Sequence, residues 1–259
     1  MESADAIMAE NVVEMLVAQT MEAYQARLEP IVVNQQEEQD LEEEPIVEVT
    51  QQVSAAADDQ DSDYVTKEGE GSTPESHYIW DIWGHRQYFG IGCETSAAVD
   101  WADYFGVTIS EFNFQLRLPI SDNPDLGFVG SVNGPWGQVP PYAYGVHAAP
   151  IAMVLQEYYE MQAVGVKDFT IEQIKQEIAS GQPVIAWVIG NCVGGIPYEY
   201  IDKEGNAVTV AAYEHVVILT GYNEESIRYM NNGNFFDIPI ENFKNTWSVL
   251  GNMVVYLAD

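Results

Sequence analysis

Gln87-Tyr88-Phe89-Gly90-Ile91-Gly92-Cys93-Glu94-Thr95-Ser96 is the stretch on which the reading of this chain turns. Two glycines interrupt it just before Cys93, and Ala97, Trp101 and Phe105 then recur at four-residue steps. That spacing predicts a helix from Cys93 to Phe105, stopped by Gly106. A helix N-terminus carries partial positive charge and favours thiolate over thiol, and the thiolate is the nucleophile. Far downstream, Glu214-His215-Val216-Val217 opens a strand-like run. A histidine brought beside the cysteine would complete the minimum set for nucleophilic acyl chemistry.

Working outward, helical patterns come first and strand patterns follow. Helices are expected at Ser110 to Leu116, at Ala148 to Met161 and at Ile171 to Ala179, the last with Thr170 and Gln173 as a capping box. Residues 119–147 are rich in proline and glycine, a loop long enough to suggest a binding role. Strands are expected at Pro183 to Ile189, Tyr198 to Ile201, Ala207 to Ala211, His215 to Tyr222, Ser226 to Met230 and Asn252 to Leu257, with a hairpin turn at 202–206 and a short helix from Pro239 to near Val249. Helices followed by an antiparallel sheet predict an α+β fold, with the nucleophile helix packed on the C-terminal sheet.

Charge sets a second boundary. The chain of 259 residues carries 9 Lys and Arg against 41 Asp and Glu, a formal net charge of −32. Residues 1–76 hold 20 of the acids and 2 of the bases. Nucleic acid and anionic membrane surfaces are therefore poor partners, and neither nucleic acid binding nor membrane insertion is expected. No apolar run reaches membrane-spanning length, and the N-terminus as written has no secretory signal. Three segments are expected: 1–33 with an amphipathic helix over Ala9 to Leu28, 34–76 as an acidic linker, and 77–259 as one compact domain. Pro45-Ile46-Val47-Glu48-Val49 could add an edge strand, and the N-terminal segment could dock back on the domain as a pro-segment. The compartment is left open.

Two cysteines give no disulfide framework. Cys192 reads as a small buried hydrophobe at a strand end. A cysteine hydrolase needs a thiolate, a base, a group that orients the base and a donor for the oxyanion. Cys93 and His215 fill the first two places. Asn231, after the strand Ile227-Arg228-Tyr229-Met230, can accept from the imidazole, with Asn232 as the fallback. Gln87, six residues before the nucleophile, can donate to the oxyanion. Asn231-Asn232-Gly233-Asn234 is also an ordinary turn sequence. Trp136 and Trp187 are candidates for holding substrate, with buried core the plainer alternative, and His147 could line the groove or serve as a structural hydrogen bonder. His77 and His85 have no ligand at zinc spacing, and Asp122-Asn123-Pro124-Asp125 lacks the spacing of a calcium loop, so neither a metal nor a cofactor is expected.

The segment Gln87 to Glu94 resembles the nucleophile segment of the bacteriocin-processing-peptidase-like family of papain-fold cysteine peptidases, in the Gly-Cys-Glu form common among its environmental bacterial members. The resemblance continues through Gly127-Phe128-Val129-Gly130, Tyr144-Gly145-Val146-His147-Ala148, Gly181-Gln182-Pro183-Val184-Ile185-Ala186-Trp187, Glu214 to Tyr222 and Leu250-Gly251-Asn252-Met253. It covers roughly residues 80–257, and several motifs in order are far more specific than any one. It implies a papain-like fold, Cys93 as nucleophile, His215 as base, Gln87 as oxyanion donor, a peptide or protein substrate, and a secreted or cell-envelope bacterial protein. Two departures stand out. Glu94 replaces the glycine that follows the nucleophile in the best-known members, and Asn231 stands where Asp is common. Three functional readings follow: a peptidase or amide hydrolase, a catalytically weak binding domain on the same fold, and an acyl transferase using the same residues.

Overall fold

The computed structural model describes residues 73–258, which fall within a unit spanning Glu70–Asp259. The helix expected over Ala9 to Leu28, the strand at 45–49 and nearly all of the acidic linker lie outside the described residues.

Five helices and nine strands make up the described part. In chain order they are β1 (His77–Tyr78), α1 (Cys93–Tyr104), α2 (Glu111–Arg117), α3 (Ala148–Tyr159), β2 (Ala163–Val166), α4 (Ile171–Ala179), β3 (Val184–Ile189), β4 (Tyr198–Ile201), β5 (Ala207–Val210), β6 (Glu214–Tyr222), β7 (Ser226–Asn231), β8 (Asn234–Pro239), α5 (Ile240–Trp247) with a 3₁₀ turn over Ser248–Leu250, and β9 (Val254–Leu257). The main sheet runs β2-β9-β3-β6-β7-β8, with β1 added beside β6, and every pairing is antiparallel. β4 and β5 form a separate hairpin.

Local chemistry accounts for the helix limits. The Thr170 hydroxyl accepts from the Gln173 N–H while the Gln173 side chain accepts from the Thr170 N–H, the reciprocal box read from the sequence. Ser110 caps α2 through the Asn113 N–H. α1 has no side-chain cap, and Gly92 stands at its N-cap. β3 and β6 are buried along their whole length, as expected of strands covered on both faces.

Buried indoles tie the layers together. The Trp101 Nε1–H donates to the Pro183 carbonyl at 2.7 Å, that of Trp187 to the Val146 carbonyl at 3.0 Å and that of Trp247 to the Met253 carbonyl at 3.0 Å. Each buries a large apolar body without leaving its N–H unpaired.

Three strands were not expected. β1 is only two residues long. β2 contains Gly165, where a Cβ would sit 2.5 Å from the Ala148 carbonyl oxygen, so the strand abuts α3 only because that position is glycine. β8 pairs with β7 across Asn232 and Gly233, both in the left-handed region (φ 50° and 75°), with Asn231 opposite Asn234. That is the two-residue hairpin favoured by Asn-Gly.

Candidate active site

β6 supplies the histidine. Its register sets His215 opposite Val188 on one side, and Ile218 opposite Met230 on the other. Continuing the second ladder by one residue sets Asn231 against Val217, diagonal to His215 on the same face of the sheet. The two side chains meet: His215 Nε2 and Asn231 Oδ1 are 3.0 Å apart. An amide oxygen only accepts, so Nε2 carries the proton and the neutral imidazole keeps its lone pair on Nδ1. The Asn232 amide donates to the same Asn231 oxygen at 3.0 Å. Asn232 does not reach the imidazole in the described bonding; its own Oδ1 accepts from the Gln87 backbone N–H at 2.9 Å.

α1 supplies the cysteine at its first position, and α1 packs against β6. Cys93, His215, Asn231, Asn232, Gln87, Trp136 and Asn191 line one cleft of about 230 Å³. The Trp136 ring stands edge-on to His215 at 6.2 Å between centroids, and its Nε1–H donates to the Glu214 carbonyl at 2.9 Å. Trp136 is 47% exposed, so the indole forms a wall of the cleft. The Gln87 side-chain amide lies at the cleft but donates to its own loop, to the Phe89 carbonyl at 2.9 Å and the Gly90 carbonyl at 3.3 Å.

Two expected groove residues sit elsewhere. Trp187 is wholly buried in β3, where its apolar surface is worth more in the core than at a wet groove. His147 is also wholly buried; its Nδ1 pairs with Asp125 Oδ1 at 2.6 Å and its Nε2 with the Tyr144 hydroxyl at 3.2 Å. It joins the 119–147 loop to the start of α3 as a structural hydrogen bonder. Burial lowers its pKa, and Asp125 offsets part of that shift.

His85 shows what spacing alone cannot reveal. The fold brings Asp100 to its Nδ1 at 2.6 Å and Glu111 to its Nε2 at 2.8 Å. The imidazolium links α1 to α2, and these hydrogen bonds push its pKa up to about 10.

Electrostatics at Cys93 run against the simple helix-terminus expectation. Burial pushes the Cys93 thiol well above its usual range, and Glu94 and Glu214 add to the effect. The Cys93 S–H donates to Glu94 Oε2 at 3.2 Å. His215 is shifted the other way: burial lowers its pKa, partly offset by Asn231. With Glu94 accepting from the S–H, the site holds a neutral thiol and a neutral imidazole. Loss of solvation for a buried ion outweighs the partial charge at a helix end.

Glu94 and Glu214 were not read as members of the site. Both are buried, and Cys93 Sγ and one carboxylate oxygen from each lie within 4.8 Å of one another. The signal was present in the sequence, since each glutamate adjoins a site residue, but charge next to a nucleophile reads equally well as solvated surface. Cys192 is free and buried just after β3, and burial lifts its pKa to about 11.

The fold matches solved structures, and the sequence matches a family model. A crystal structure of a candidate C39-like peptidase from Bacillus anthracis superposes with a TM-score of 0.63 at 21% identity, over 72% of this chain and 98% of that one. Weaker likenesses are to xylellain, a cysteine protease from Xylella fastidiosa (TM-score 0.41, 12% identity, 72% and 86% of the two chains). The Carica candamarcensis cysteine protease CMS1MS2, solved with E-64, is similar at TM-score 0.42 and 15% identity, over 72% and 99%. No curated protein sequence matches. The fold shared with the C39-like peptidase is α+β, with the helix that begins at Cys93 packed on an antiparallel sheet. The model of the Peptidase_C39 like family matches residues 59–255, and the chain belongs to that family.

Proposed function

We propose that this protein hydrolyses peptide bonds with Cys93 as nucleophile, His215 as general base and acid, and Asn231 as the group that orients the imidazole. The observation that carries this reading is the His215–Asn231 hydrogen bond inside a cleft that Cys93 also lines. With Nε2 fixed as a donor, Nδ1 is the atom left to take the thiol proton. As that proton moves, the sulfur attacks the substrate carbonyl, and His215 returns the proton to the leaving amine. Water then cleaves the acyl-enzyme by the same exchange. The oxyanion would receive the Cys93 backbone N–H and the Gln87 amide. The longer of the two Gln87 hydrogen bonds, to Gly90, is the one to be exchanged for the oxyanion. No charged group stands in the place of Asn231 to hold the imidazolium, so the ion pair is expected only transiently.

A second reading, a catalytically weak binding domain, draws on the raised Cys93 thiol and its hydrogen bond to Glu94. One experiment separates the two. Incubation of the full chain with a mixed peptide library, read by mass spectrometry, should give cleavage that disappears in Cys93→Ser and in His215→Ala. Cleavage that persists in Cys93→Ser rejects the assignment, and absence of any wild-type cleavage favours the binding domain. Amine incorporation in place of hydrolysis would point to acyl transfer on the same residues.

A further inference from the structure

Two buried carboxyl groups flank the nucleophile, one on each element that forms the site. Glu94 follows Cys93 on α1, and Glu214 precedes His215 on β6. Glu94 Oε1 accepts from the Val146 N–H at 2.7 Å and its Oε2 from the Cys93 S–H at 3.2 Å. Glu214 Oε1 is buried with no hydrogen-bond partner. The loop between them is cut to fit: Gly145 has φ +125°, and a Cβ there would lie 2.0 Å from Glu94 Oε1 and 3.2 Å from Glu214 Oε2. An ordinary side chain at position 145 would displace the carboxyls, so the backbone is built around them.

Among the described residues neither carboxyl forms an ion pair with a lysine, arginine or histidine. The titratable groups around them are Cys93 from α1, His215 from β6, and the Tyr144 phenol from the loop, with the His147–Asp125 pair behind it. Two carboxylates this close and this dry do not both ionise near neutrality.

We propose that Glu94 and Glu214 act together as a proton-holding pair that positions the Cys93 thiol and governs the transfer of its proton to His215. With Glu94 ionised, its Oε2 holds the S–H proton and keeps sulfur as thiol. With Glu94 protonated, that acceptor is gone and the carboxyl O–H becomes a donor to sulfur. The thiol proton then passes to His215 Nδ1, and the Glu94 O–H stabilises the thiolate left behind. No proton is gained or lost in that transfer; pH enters only through the occupancy of the carboxyl pair. Glu94 and Glu214 are positioning residues, acting through Cys93. Burial lifts both groups, Glu94 to about 7 and Glu214 well above the carboxylate range with Glu94 adding to it, so the change falls near neutral pH. The inference takes Cys93 and His215 as the reacting pair from the proposed function.

The test is the pH profile of iodoacetamide alkylation at Cys93 in the full chain, mapped by peptide mass spectrometry. In the wild type the rate should fall about tenfold from pH 6 to pH 8, the effect of roughly one pKa unit of coupling. In Glu94→Gln the fall should vanish; a fall that persists in a folded Glu94→Gln protein overturns the proposal. Difference infrared spectroscopy needs no folded variant at position 94. The wild type should show a protonated-carboxyl band at pH 8, where Glu94 is largely ionised, that is lost in Glu214→Gln, and absence of that band in the wild type also overturns it. Because alkylation is read without substrate, a protein that titrates as described but cleaves no peptide refutes the peptidase reading and leaves this one standing.

Discussion

His215 Nε2 and Asn231 Oδ1 are 3.0 Å apart, joined across the diagonal of the β6–β7 ladder. The contact fixes which imidazole nitrogen is free for the cysteine. It supplies orientation without charge, because an amide cannot stabilise an imidazolium as a carboxylate does.

Replacement of Asn231 separates those two contributions. Asn231→Ala removes a hydrogen bond worth about 1–1.5 kcal/mol and should lower kcat about tenfold, with KM little changed. Asn231→Asp keeps the geometry and adds charge, so it should raise the His215 pKa, measured by NMR titration. An unchanged kcat in Asn231→Ala would show that the imidazole is held by its packing instead.

His85 makes stability depend on pH. Its pKa in the folded protein is pushed up to about 10 by Asp100 and Glu111, against 6.5 for the free group. A raised pKa stabilises the fold fully below about 6.5, and that contribution is lost as pH rises through about 10. Since the imidazole is partly exposed, solvent screening reduces the effect to about 1 kcal/mol. Urea unfolding at pH 6 and pH 10 should show this loss in the wild type and not in His85→Gln.

Among the described residues, Gly145 is the glycine at which an added Cβ would make the shortest contact. Gly145→Ala sets a Cβ against Glu94 Oε1 in a backbone conformation that side chains rarely adopt, and should cost about 3 kcal/mol or more. Thermal unfolding checks the cost, and a melting temperature within a degree or two of wild type would contradict the packing described.

Trp136 tests the cleft wall. Trp136→Ala removes an exposed ring that stands beside His215 without opening a core cavity. KM for peptide should rise several-fold, consistent with loss of about 1 kcal/mol of aromatic contact, while the melting temperature stays near wild type. A drop in kcat alone would instead assign Trp136 to holding β6 through its bond to the Glu214 carbonyl.

The periodic parts of the chain were legible from residue types. The capping box at Thr170 and Gln173 lies where those side chains dictate, and the apolar runs of β3 and β6 read directly as buried strands. β8 was missed although Asn232-Gly233 is a strong hairpin signal. Its Phe235 and Phe236 are exposed on an edge strand, so no buried face marked it. Trp187 and His147 carried the opposite difficulty: a large aromatic and a loop histidine look alike in sequence whether they face a groove or the interior.

By itself the sequence determined an α+β chain with a cysteine at a helix start, a histidine on a late strand and a family resemblance spanning both. Those are properties of local periodicity and of ordered motifs. Only the tertiary structure decided that Asn231 and not Asn232 meets His215, that His85 is bracketed by two carboxylates, and that Cys93 lies against Glu94 and Glu214. The reason is that pKa and hydrogen bonding depend on which groups burial forces together. At Cys93 the surroundings reverse the local rule, and the helix end that would favour a thiolate holds a thiol.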